Sequence, residues 1–202
     1  ATSREHVPPV CLFPEQKELE DGVDYRRNLI TVPSCDAHNS QKSKDDEYLQ
    51  LILVHGYFNN KACREHFRSK VVRALTRRPA MLAALYANRT HVTVDAEPTV
   101  AVDIDLVRLN IALERVCQGL CVHNTGSRWP KEIKIHTPVL LAMGDPESDK
   151  VNTLVIRLSK EVINYLKGVA KCGDNPEIFW YQLSIEEPKD RLVCRMTFYG
   201  GF

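Results

Sequence analysis

Apolar and polar positions divide this chain into short strand-like runs and longer stretches of helical period. Residues 5–12 read as a first strand and turn, ending at Pro14. Residues 15–27 are polar and charged around Gly22 and predict a loop. Asn28 to Val32 is apolar and β-branched, which predicts a second short strand closed by Pro33. A helix is expected from about Asp36 through Tyr48, Leu49, Ile52 and Leu53. A loop from Gly56 to Asn60 separates this strand–strand–helix unit from the rest.

Residues 61–88 read as helical, with Phe67, Val71 and Leu75 on one side and a break near Pro79. Met81 to Ala87 is Ala-rich and apolar, a buried helix or part of one. His91 to Val94 and Val100 to Asp103 predict short strands. Asp103 or Asp105 should start a strong helix with Leu106, Leu109, Leu113, Val116, Cys117 and Leu120 on one face. A turn-rich loop over residues 124–131 follows, then a strand within Ile133 to Met143. Asp149 to Lys171 reads as another helix, ended by Gly173. Ile178 to Ile185 and Leu192 to Tyr199 form an expected hairpin, turning at Pro188-Lys189-Asp190. Trp129, Phe179, Trp180, Tyr181, Phe198 and Tyr199 are expected in the core or as cross-strand partners. The fold class is therefore α+β.

Composition narrows this picture only a little. A chain of 202 residues can bury a proper core. No apolar run is long enough for a membrane helix, and the head of the chain lacks an apolar signal core, so a cytoplasmic setting is expected. Seven scattered Cys point to reduced thiols and not to a disulfide framework. Cys117 and Cys121, one helical turn apart, fit a core face better than a metal site.

The chemistry concentrates in the first forty or so residues. Glu5-His6 stands at the head, Asn28 follows, and Cys35-Asp36-Ala37-His38-Asn39 closes the set. Hydrolysis of a phosphodiester needs a base for water and a cation to offset charge on the phosphate. An imidazole suits the first task near neutral pH. A carboxylate or amide oxygen suits a hard cation such as Mg²⁺. Taken singly, each residue has a plainer role: His6 as a solvent-exposed residue, Asn28 as a turn residue, Cys35 as a small buried group, Asn39 as a helix cap. Their joint order favours the chemical reading.

These residues resemble the HNH (ββα-metal) endonucleases. The resemblance rests on Arg4-Glu5-His6-Val7-Pro8-Pro9, Asn28-Leu29-Ile30 and Cys35-x-x-His38-Asn39, with Lys42 and Lys44 after them, and covers roughly the first quarter of the chain. It implies an HNH ββα-metal nuclease module at residues 1–58, and the pattern of elements over residues 59–202 reads as a mixed α+β accessory domain that ends in a β-hairpin. It implies His6 as general base, Asn28 as the residue bracing it, and Glu5 and Asn39 as ligands of one Mg²⁺ or Mn²⁺. Cys35 and His38 have the spacing of half a structural zinc site. Zn²⁺ is expected only if a Cys pair precedes Ala1.

Charge sets the expected substrate. The formal net charge is only +1, but Lys61, Arg64, Arg68, Lys70, Arg73, Arg77 and Arg78 face the single acid Glu65 across one stretch. Arg26, Arg27, Lys42, Lys44, Arg64 and Arg68 are the candidate contacts to a phosphate backbone, with DNA the expected substrate. A solvated helix face explains any one of them equally well. The acidic run at Asp45-Asp46-Glu47 fits such a face better than a second ion site. Two rivals remain: a nucleic-acid-binding module that keeps the ββα scaffold without activity, and a partner-binding protein in a system where a second component selects the target. The implied setting is restriction or anti-phage defence.

Overall fold

The computed structural model describes residues 2–19, 22–77, 79–140, 142, 146–186 and 190–202, with the side chains at 2, 35–43, 70, 71, 74, 75 and 81 outside the described set. The chain is mixed α and β: helices alternate with three antiparallel two-stranded ribbons among the described residues. Strand β1 (Thr2–His6) pairs with β2 (Thr31–Cys35), so that Thr2 faces Cys35 and His6 faces Thr31. Helix α1 (Asp36–Val54) leaves β2 directly. The strand–strand–helix order expected at the head of the chain is present.

The second strand begins at Thr31 rather than Asn28 and runs through Pro33 instead of stopping there. The pairing explains how Pro33 is accommodated. The Val7 N–H donates to the Ile30 carbonyl at 3.0 Å, which continues the ribbon past His6 as a hydrogen-bonded pair. Such pairs alternate with non-bonded ones along an antiparallel ladder. Arg4–Pro33 then falls on a non-bonded pair, where the absent proline N–H faces outward.

Helix α2 (Lys61–His66), a π-helical turn (Phe67–Val71), α3 (Val72–Arg77) and α4 (Pro79–Leu85) fill the stretch expected to be helical, and the expected break near Pro79 falls at residue 78, outside the described residues. The expected faces at Val71, Leu75 and Met81, and the charges of Lys70 and Arg78, lie outside the described residues. Strand β3 (Thr90–Val94) pairs with β4 (Glu97–Ala101), which starts before the expected Val100. Asp95 and Ala96 join them with φ of 51° and 66°, the positive values that a tight two-residue hairpin turn requires.

Helix α5 (Leu106–Thr125) starts where expected, because the Asp105 carboxylate accepts from the Arg108 N–H at 2.9 Å. Gly126 ends it at φ 74°. Helix α6 (Ser148–Tyr165) stops short of the expected Lys171. A turn over Leu166 to Gly168 ends it, with Gly168 at φ 95°. No strand forms over residues 133–140, contrary to expectation, and residues 141 and 143 lie outside the described set. Half-buried Ile133 and Ile135 alternate with exposed Lys134 and His136 as in a strand, but no described strand pairs with them. Strands β5 (Phe179–Glu186) and β6 (Arg191–Phe198) form the expected hairpin, whose turn at 187–189 lies outside the described residues.

One buried apolar cluster joins Leu49 and Leu53 of α1, Leu109 and Leu120 of α5, and Phe179 and Phe198 of the last hairpin. Val7, Leu12 and Phe13 belong to the same cluster, so the core spans both sides of position 58. Polar contacts follow the same path. The buried Tyr199 hydroxyl donates to the Leu12 carbonyl at 2.6 Å, and Asn60 donates to the Glu177 carbonyl at 2.6 Å. A Cβ on Gly201 would stand 2.4 Å from the Phe58 carbonyl carbon, so only glycine permits the chain's end to lie this close to the loop after α1.

Candidate functional site

The strand register positions the first two candidate residues. Successive strand residues point to opposite faces. Glu5 therefore shares a face with buried Val32 and with Ser34, whose hydroxyl donates to the Glu5 carboxylate at 3.1 Å. His6, the last residue of β1, lies on the other face with Arg4 and Thr31. The Arg4 guanidinium donates to the Thr31 hydroxyl at 2.7 and 3.0 Å. Glu5 and His6 are both half-buried at the same end of the ribbon. The ladder thus brings them together along the strand while sending their side chains apart.

Asn28 is exposed in the turn before β2, at φ 52°. Asparagine tolerates that left-handed backbone better than most residues, so the turn alone accounts for its presence there. Asn39 lies in the first turn of α1, one turn beyond the strand end. The side chains of Cys35, His38, Asn39 and Lys42 lie outside the described residues, and with them the expected half zinc site and the expected Asn39 ligand. Among the described residues, no group of three or more His, Cys, Asp or Glu converges on a common point.

Helix α1 starts opposite Thr2 and runs back over the ribbon toward the segment after His6. Gln50 donates to the Cys11 carbonyl, and the Cys11 thiol lies 3.7 Å from the Asp46 carbonyl. The buried His66 Nε2 is 3.1 Å from the same Cys11 carbonyl. At the end of α1, His55 Nδ1 donates to the Leu51 carbonyl at 2.6 Å, and Phe67 packs edge-on to its ring at 5.2 Å. Burial pushes the His55 pKa down, partly offset by the Leu51 carbonyl. The sequence alone singled out neither His55 nor His66, because each takes its meaning from a remote contact.

Helix α5 braces this unit from behind. A Cβ on Gly119 would lie 2.6 Å from a Val7 methyl, so glycine lets α5 approach the residue next to His6. Asp45 of α1 receives Arg108 at 3.0 Å and Arg115 at 2.6 Å, both from α5. Burial pushes the Asp45 carboxyl up, but the hydrogen bonds from Arg115 and Arg108 prevail and hold it below its ordinary value. The Arg108 guanidinium also lies 4.5 Å above the Tyr48 ring. An acid in the run read as a solvated helix face is therefore an anchor between helices.

The expected basic contacts divide into two groups. Arg26 turns inward, donating to the Phe13 carbonyl at 3.0 Å and pairing with Glu15 at 3.2 Å. Arg64 donates to the Asn59 carbonyl at 2.5 Å. Lys61 pairs with Glu65 and Arg73 with Glu18, each at 3.2 Å, which interrupts the basic stripe. Arg27, Lys44 and Arg68 are exposed.

Cys117 and Cys121 are buried on the core face of α5, as expected, and no disulfide joins the six described cysteines. Among the described residues, no helix is long and apolar enough to cross a membrane. Comparison with protein-family models, with curated proteins and with solved structures returned no match for this chain.

Proposed function

We propose that this protein is a metal-dependent endonuclease of HNH type that hydrolyses DNA phosphodiester bonds. One observation carries the reading. Glu5-His6 ends the first strand of a ribbon whose second strand runs directly into a helix, and Asn39 stands in that helix's first turn. Glu5 and Asn39 supply one carboxylate and one amide oxygen, a donor set that fits a hard cation completing its shell with water. Mg²⁺ or Mn²⁺ held there would offset negative charge on the scissile phosphate. His6 accepts the proton of the attacking water through its imidazole. Ser34 orients the Glu5 carboxylate by its hydrogen bond. Exposed Arg27, Lys44 and Arg68 contribute contacts to the phosphate backbone.

The test is conversion of supercoiled plasmid to nicked and linear forms with Mg²⁺ or Mn²⁺, in parallel with EDTA. The reading expects cutting that EDTA abolishes. Cation-independent cutting, or binding of plasmid with no cutting in either metal, removes it and leaves a non-catalytic binding module.

A further inference from the structure

The C-terminal hairpin has one edge in use and one that opens on a cavity. On the outer side of β5, Tyr181 exchanges two backbone hydrogen bonds with Cys172, at 2.8 and 3.0 Å. Among the described residues, β6 pairs with β5 alone. The Tyr199 N–H donates to the Ile178 carbonyl, so odd-numbered residues of β6 turn their N–H and C=O toward β5. Leu192, Cys194 and Met196 consequently direct theirs to the outer edge. That edge borders a cavity of about 630 Å³.

The cavity has the shape and lining of a strand site. Leu113, Cys117 and Trp129, together with Leu158 and Val162 of α6, line it. Ile133 and Ile135 complete the apolar lining. An added strand would find an apolar lining and a ladder of backbone groups along its side. Charge specifies the occupant further. Lys131, Lys134, Arg191 and Arg195 line the cavity with two acids, Glu132 and Asp190; Asp190 pairs with Lys131 at 3.1 Å and Arg191 with Glu186 at 3.4 Å, which leaves Lys134 and Arg195 against Glu132. The lining is thus net cationic over an apolar interior.

We propose that the outer edge of β6 is a docking site for an extended apolar peptide with acidic residues at its ends, supplied by a partner protein and added as a third strand beside β6. The site is independent of the nuclease reading, and each stands if the other fails. The experiment is display selection of random decapeptides on the immobilised full chain, followed by binding measurements. Enriched peptides should carry apolar β-branched or aromatic runs flanked by Asp or Glu. They should bind the Lys134→Glu variant about tenfold more weakly, the size of one lost charged contact. N-methylating the amides that face β6 should weaken the best peptide about tenfold or more, while methylating the alternate amides should not. Hydrogen exchange should slow on binding at Leu192, Cys194 and Met196, and change less at Val193 and Arg195. No enrichment over a bead control, enriched peptides of helical spacing or basic ends, or equal tolerance of both methylation patterns would overturn the proposal.

Discussion

Helices α5 and α6 have 20 and 18 residues and both carry regular apolar positions, yet they end in opposite surroundings. Helix α5 buries Leu109, Leu113, Val116 and Leu120 and touches both ends of the chain's core. Helix α6 buries only Ser148, while its Val151 and Leu154 remain 49% and 48% exposed. Periodicity states which face of a helix is apolar; it does not state what covers that face. Three features set α5 apart. Gly119 allows close approach, Asp105 caps its start, and Arg108 and Arg115 tie it to α1. The ion pairs of helix α6, Lys150–Glu147 and Arg157–Glu161, lie within or beside it, and its ties to the rest of the chain are at exposed positions: Tyr165 donates to the Glu186 carboxylate of β5, and Asn152 bonds the Ala142 backbone. Leu158, Val162 and Ile163 in its second half line the cavity beside β6.

That contrast is open to direct attack. Leu120→Ala empties a fully buried position on α5 and should cost about 2–5 kcal/mol in denaturant unfolding. A loss near zero would mean that α5 is not the central support. Gly119→Ala inserts a methyl where Val7 already sits and should cost about 1–3 kcal/mol by overpacking. It should also reduce plasmid cutting, because Val7 cannot yield without moving His6; wild-type stability with wild-type cutting would refute the close approach.

Acid should loosen the tie between α1 and α5. The Asp45 carboxyl is held below its ordinary 3.8 in the folded chain, so the unfolded chain takes up its proton first. The stabilisation from Arg108 and Arg115 is therefore full above that value and disappears as pH falls through the lower folded one. Melting temperature should drop less steeply over that range in Asp45→Asn than in wild type, and parallel profiles would show that the tie contributes nothing. The smallest effect belongs to α6, where Leu154→Ala should change stability by no more than about 0.5 kcal/mol. A loss of core size would mean that α6 is buried in a way the fold does not account for.

How much of this was legible in the sequence depended on where each residue's partner lay. Asp105 and Gly126 bracket α5 from within its own neighbourhood, and the helix starts where the pattern predicts. Pro33 misled, because its tolerance in β2 depends on a register set by Val7 and Ile30, more than twenty residues apart. Ile133 and Ile135 alternate as in a strand, but only the fold reveals that they line a cavity together with β6. The candidate site shows the same limit. The order of Glu5-His6, Asn28 and Asn39 was readable, as was the placing of Glu5-His6 on a strand and of Asn39 on a helix, but Asn28 was expected in the second strand and lies in the turn before it. The company of Glu5 with Val32 and Ser34, and of His6 with Thr31, follows from the register with β2, and the inward turn of Arg26 follows from Phe13 and Glu15.

The most direct test of the account is plasmid cutting by wild type beside His6→Ala, with circular dichroism and melting on both proteins. The account predicts metal-dependent cutting by wild type that disappears in a variant of unchanged fold. Equal metal-dependent cutting by a folded His6→Ala protein would contradict it.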